Sequence, residues 1–100
     1  MENKQKIMVQ FDFPEMTTES YNQIWQELRE AGFENPKGLL HHAGAPAEKG
    51  LKVVDIWENK EKFNEFGQTL MPILNKHGIK DAKPIILPLQ YEYKGKISGE

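Results

Sequence analysis

The chain contains no cysteine, so neither a disulfide framework nor a thiolate metal site can be built from it. That composition fits a reducing compartment. It also lacks any run near the roughly 18 apolar residues that a membrane helix requires, and no membrane association is expected. Its charges nearly cancel, with 13 Lys and Arg against 15 Asp and Glu interspersed along the chain. Lys94-Gly-Lys96 is the nearest approach to a basic cluster, so there is no electrostatic footprint for nucleic acid or anionic lipid. The histidines occur in neither HxH nor HxxxH spacing, and no metal site is expected. The opening Met1 to Lys6 is polar and leads directly into a strand-like run without an apolar signal segment, so we expect a cytoplasmic protein.

What is present fits one core, since 100 residues are too few for two. Ile7, Val9, Phe11 and Phe13 alternate with Met8, Gln10 and Asp12, the period of a strand with one buried face. Thr17 or Thr18 then offers a cap for a helix over 18–31, where Tyr21, Ile24, Trp25 and Leu28 form one stripe and Gly32 marks the stop. Two extended runs, 39–45 and 51–58, flank a loop with a glycine near its end and read as a hairpin. Asn59 caps a second helix whose stripe comprises Phe63, Phe66, Leu70, Ile73, Leu74 and His77. Pro72 lies inside it and predicts a kink or a helix restart. A last alternation, Ile85 to Tyr93, reads as strand four.

The order strand, helix, strand, strand, helix, strand predicts an α+β, ferredoxin-like βαββαβ domain. Right-handed crossovers order its antiparallel sheet 4-1-3-2 and put both helices on one face. We expect one domain over 1–100, ordered at about 6–93, with a flexible tail at 94–100. The helix-free face carries many apolar residues, and a second copy of the chain is the simplest cover for it. Pro88 argues that part of strand four lies at an edge.

Gly38-Leu-Leu-His-His-Ala-Gly-Ala-Pro46 and Lys52-Val-Val-Asp-Ile-Trp-Glu-Asn-Lys-Glu-Lys-Phe-Asn-Glu-Phe66 resemble the dimeric α/β barrel proteins related to antibiotic biosynthesis monooxygenases. The resemblance covers nearly the whole chain and implies a homodimeric barrel with a pocket between sheet and helices in each subunit. That superfamily includes cofactor-independent quinone-forming oxygenases, haem-degrading enzymes, isomerases, dehalogenase-like proteins and members of unknown function, so fold does not fix activity.

His41 and His42 must point to opposite faces of their strand. The resemblance favours His42 as acid or base, because it matches a histidine a few residues before the hairpin proline. A half-buried histidine bonded to backbone or to a partner subunit is the competing role. Asp55, set among Val53, Val54, Ile56 and Trp57, is a carboxylate that requires a partner. A hairpin register summing to 97 sets it opposite His42, and a sum of 96 sets it opposite His41. A catalytic dyad and a structural pair at a dimer interface both follow from such a contact. Gln10 joins this group if it shares the face. Tyr21, Trp25, Trp57 and Phe66 are candidates for walling an aromatic substrate, or are core.

In haem-degrading relatives a helix-two histidine ligates iron, with a tryptophan ten residues before it. Here Gly67 stands ten before His77, so no haem, and no other cofactor, is expected. His77 remains a candidate to contact substrate, although a histidine in a last helical turn is also favoured by the helix dipole. The two leading functions are thus an acid/base or cofactor-independent monooxygenase-like enzyme acting on a small aromatic molecule, and a non-catalytic ligand-binding or structural homodimer. The similarly ordered RNA-binding fold is disfavoured, since the third strand lacks the required glycine and paired aromatics.

Overall fold

The computed structural model describes residues 4–80 and 82–95. Strand β1 (Ile7–Phe13) leads to helix α1 (Thr18–Glu30), hairpin strands β2 (Leu39–Pro46) and β3 (Leu51–Trp57), helix α2 (Lys60–Lys76) and strand β4 (Ile85–Pro88). The antiparallel sheet runs β2-β3-β1-β4, the order expected from the sequence. Within β1 and β3 the alternation sorts the faces. Val9, Phe11, Val53 and Trp57 join Ile24 and Leu28 of α1 and Phe63, Phe66 and Leu74 of α2 in one buried cluster. Both helices therefore cover the same face.

Helix α1 starts where the chain supplies a reciprocal cap: Thr17 Oγ1 accepts from Ser20 N–H, and Thr17 N–H donates to Ser20 Oγ. Asn59 Oδ1 accepts the Lys62 N–H at 2.8 Å and starts α2 in the same way. Of the two outcomes expected at Pro72, a kink or a restart, the restart does not occur, and α2 runs through it as one helix. The carbonyl deprived of its donor is that of Gln68, and both Gln68 and Pro72 are exposed, so water can serve it while Leu70 and Leu74 hold the helix to the core. The β2–β3 turn closes with an Ala47 N–H to Gly50 O bond, and Gly50 has φ +74°. A Cβ there would meet Phe13 O at 1.9 Å, so only glycine fits.

Strand β4 is shorter than its alternation indicates, ending at Pro88 instead of Tyr93. The reason is its partner: Pro88 pairs with Ile7, the first residue of β1, and beyond it the Leu89 N–H to Lys6 O bond continues the contact without a strand on either side. Strand pairing needs a neighbour, and the neighbour has ended. The following segment turns across the end of the sheet, where Glu92 lies 2.9 Å from Lys6 Nζ and 2.8 Å from His41 Nε2 on β2. The contact with His41 is one of charge proximity, because that buried oxygen has no aligned hydrogen bond. Of the tail expected at 94–100, residues 96–100 lie outside the described residues.

The helix-free face presents the rows Ala43–Val54–Gln10–Ile85 and His41–Ile56–Met8–Leu87. Val54, Ile85 and Leu87 are large apolar side chains left exposed on it. No helix among the described residues is long and apolar enough to cross a membrane.

Candidate functional site

Asp55 is 5% exposed on the helix-facing side of β3, between Val53 and Trp57. An ionised carboxylate in such a place needs hydrogen bonds to compensate for lost water. It has two. Oδ1 lies 2.5 Å from His42 Nδ1, and Oδ2 accepts from Trp57 Nε1 at 3.3 Å. His42 is within reach because the β2–β3 register sums to 97 over His41–Pro46, which sets His42 directly opposite Asp55. The pair forms within one chain.

The other imidazole nitrogen, Nε2, lies 2.5 Å from the Tyr21 hydroxyl, delivered from the first turns of α1. Burial, with a smaller contribution from the Asp55 charge, raises the Tyr21 phenol above its ordinary value, and the Trp25 indole opposes the rise only in part. Tyr21 is accordingly protonated at neutral pH, and its hydroxyl can donate to Nε2 in the tautomer whose Nδ1–H is donated to Asp55. The result is a continuous Tyr21–His42–Asp55 chain of hydrogen bonds, with Trp57 holding the far carboxylate oxygen. Trp25 packs its ring edgewise on His42, centroids 4.9 Å apart. Gly44 makes room for the tyrosine: a Cβ there would meet Tyr21 Oη at 2.9 Å and Cζ at 3.1 Å.

Tyr21, Trp25, His42, Asp55 and Phe66 line a partly open cavity of about 40 Å3 between sheet and helices. By comparison, about 10–15 Å3 accommodates one water, so this space corresponds to a few waters and not to an aromatic ring. Trp25 and His42 also border a second, open groove of about 230 Å3 formed with the 34–36 linker and Leu39 to His41. Those two side chains border both spaces.

Four of the residues expected to contact substrate lie outside the lining of this inner cavity. Gln10 pairs with Val54 on the opposite face of the sheet, away from Asp55. His41 borders the outer groove, but it pairs with Ile56 across β3, on the face opposite His42, and its ring is directed to Glu92. His77 ends α2 and bonds Glu27 of α1, joining the helices at a distance from the cavity lining. Trp57 is fully buried against Phe63 and Phe66, and it orients Asp55 instead of walling the cavity. The direct role of Tyr21 as partner of His42 was not legible in the sequence, where it read as one more aromatic on a helical stripe. The one cue was Gly44, two residues past His42 and so on the same face. Among the described residues, no group of three His, Cys, Asp or Glu side chains is placed to hold a metal ion.

The fold matches that of solved structures of a dimeric ferredoxin-like protein and of monooxygenases. A dimeric ferredoxin-like protein of unknown function from Thermobifida fusca YX aligns with a TM-score of 0.60 at 13% identity, covering 89% of this chain and 95% of that one. SnoaB, a cofactor-independent oxygenase from Streptomyces nogalater, aligns with a TM-score of 0.58 at 11% identity over 90% of this chain and 97% of its own. The ActVA-Orf6 monooxygenase of Streptomyces coelicolor, solved with Nanaomycin D, aligns with a TM-score of 0.53 at 12% identity over 92% and 93%. No family model matches the chain, and no curated protein matches it in sequence. Likeness at this identity establishes the fold, and activity must be argued from the site.

Proposed function

We propose that the domain is an acid/base catalyst of the cofactor-independent oxygenase kind, acting on a small aromatic molecule at the Tyr21–His42–Asp55 chain. The observation that carries this reading is that a histidine with both nitrogens engaged, one by a buried carboxylate and one by a tyrosine, borders a mainly apolar cavity. Asp55 fixes the tautomer that leaves Nε2 basic. With Tyr21 turned aside, Nε2 takes a proton from an acidic C–H or O–H of the substrate, and Asp55 stabilises the imidazolium formed. The electron pair stays on the substrate as a delocalised carbanion or phenolate. With dioxygen as the co-reactant, a methylene carbon becomes a carbonyl: one oxygen atom enters the product and the other leaves as water with the two displaced hydrogens. The aromatic body lies in the outer groove against Trp25, since the inner cavity is too small for it. The apolar open face of the sheet and the dimeric neighbour support a homodimer as the working form.

A panel of hydroquinone- and anthrone-type compounds screened by oxygen consumption tests this reading. Turnover should be present in the wild type and lost in His42→Ala with the fold retained, and activity persisting in that variant overturns it. A second reading has its own support, because the chain's polar atoms satisfy one another as they would in a purely structural pair. It predicts that aromatic probes bind without turnover and that His42→Ala lowers stability alone.

A further inference from the structure

The cavity beside the relay has a character that proton transfer does not require. Away from His42 its walls are apolar, from Phe11 and Val53 of the sheet to Ile24, Leu28, Leu70 and Leu74 of the helices. Its polar atoms are occupied with one another: both ring nitrogens of His42, both carboxylate oxygens of Asp55 and the Tyr21 hydroxyl each have a partner. A buried water is held by two to four hydrogen bonds, and this lining has few to give. A mainly apolar space so poor in free hydrogen-bonding groups holds water weakly and favours nonpolar guests. With about 40 Å3, this one has room for a diatomic molecule, whereas an aromatic ring needs a space on the order of 150 Å3.

Position supplies the second observation. Trp25 and His42 line both this apolar space and the outer groove, so a nonpolar guest in one and an organic molecule in the other meet at the same imidazole. We infer that the inner cavity is a binding site for dioxygen, next to the organic substrate at Trp25 and His42. The inference rests on the oxygen-consuming reading above and deepens it by giving each reactant its own place. His42 takes the substrate proton at this border, the carbanion left on the substrate bonds one atom of the dioxygen to give a peroxide, and the O–O bond then breaks as the second hydrogen is lost, leaving the carbonyl and water.

Xenon, a nonpolar atom that occupies such spaces, tests the site without reference to turnover. Methyl-detected NMR under xenon should give saturable shifts at Ile24, Leu28, Leu70 and Leu74, with Ile7, a core residue outside the cavity lining, unaffected. Absence of saturable shifts in the wild type overturns the site. Ile24→Phe, which fills the cavity, should lower xenon occupancy by about fivefold or more, and Leu70→Ala, which widens it, should raise occupancy. Where either variant fails to fold, the wild-type titration still decides. In an oxygen-dependent assay, Ile24→Phe should raise KM for dioxygen by about fivefold or more with KM for the organic substrate unchanged, and an unchanged KM for dioxygen overturns the assignment of the guest. Oxygen-dependent turnover without xenon binding overturns this inference alone. Xenon binding with turnover that needs no oxygen overturns the oxygenase reading together with it.

Discussion

His42 and Asp55 face each other across the β2–β3 pair with their nearest nitrogen and oxygen 2.5 Å apart, and the indole of Trp57 closes the other side of the carboxylate. Removal and neutralisation of Asp55 should therefore have different effects. Asp55→Ala leaves His42 Nδ1 and Trp57 Nε1 without their acceptor, at a cost of about 1–3 kcal/mol for each group left unsatisfied in a buried site. Asp55→Asn keeps the shape and loses the charge that holds the tautomer. We expect a smaller loss of stability from it, and a loss of turnover on the order of a thousandfold or more by analogy with carboxylate-to-amide changes in histidine-dependent triads. Urea denaturation and steady-state assays on the two variants separate the effects.

Gly44→Ala tests whether the tyrosine is part of the relay. Gly44 has no positive φ to protect, so the added methyl acts only by contact, and its nearest neighbour is Tyr21 Oη at 2.9 Å. The far end of that side chain is able to swing away. Stability should change by no more than about 1 kcal/mol, while the Tyr21–His42 bond is lost. A matching drop in activity for Gly44→Ala and Tyr21→Phe is the expected outcome, and full activity in both removes Tyr21 from the mechanism.

Glu27 on α1 takes Lys76 and His77 from the end of α2 and joins the two helices at that point. The hydrogen bonds from Lys76 and then His77 hold its carboxyl below the ordinary 4.5, and Glu27 in turn holds Lys76 above the ordinary 10.5. A depressed carboxylate contributes stability above its unfolded value, and that contribution is lost as pH falls through the lower folded value. A raised lysine contributes below about 10.5 and is lost as pH rises through its higher folded value. The pair thus favours the folded state between about 4.5 and 10.5. Urea midpoints measured across pH should fall more steeply at both ends for the wild type than for Glu27→Gln.

Much of the fold was legible because β1 and β3 bury one face each, which gives an unambiguous period of two, and because Thr17, Asn59 and the glycines after each helix mark its ends. The register of the hairpin was not legible, and the ladder shows why. Leu39 pairs with Trp57, a sum of 96, whereas His42 pairs with Asp55, a sum of 97, because the ladder shifts between Leu39 and His41. Both registers occur in one hairpin, and the extra residue decides which histidine meets the carboxylate. The end of β4 was hidden for a related reason: alternation continues to Tyr93, but a strand extends only as far as its partner. Tyr21's contact with His42 depends on how α1 lies over β2, a tertiary relationship without a local signature.

The open face of the sheet gives the last prediction. Val54 stands near its centre, between Ala43 and Gln10, and is 39% exposed in the single chain. A charge placed there stays in water while the chain is alone, so Val54→Lys should alter the stability of the monomer by less than about 0.5 kcal/mol. In a twofold pair the same substitution enters the interface from both sides and buries two like charges, at several kcal/mol for the assembly. We expect the wild type to sediment as a dimer and Val54→Lys as a folded monomer, with dimer dissociation constants differing by about a hundredfold or more. Asp12, exposed at the margin of the same face, provides the control. Asp12→Asn should leave the dimer intact, and a wild type that sediments as a monomer at every concentration would show that a second copy does not cover this face.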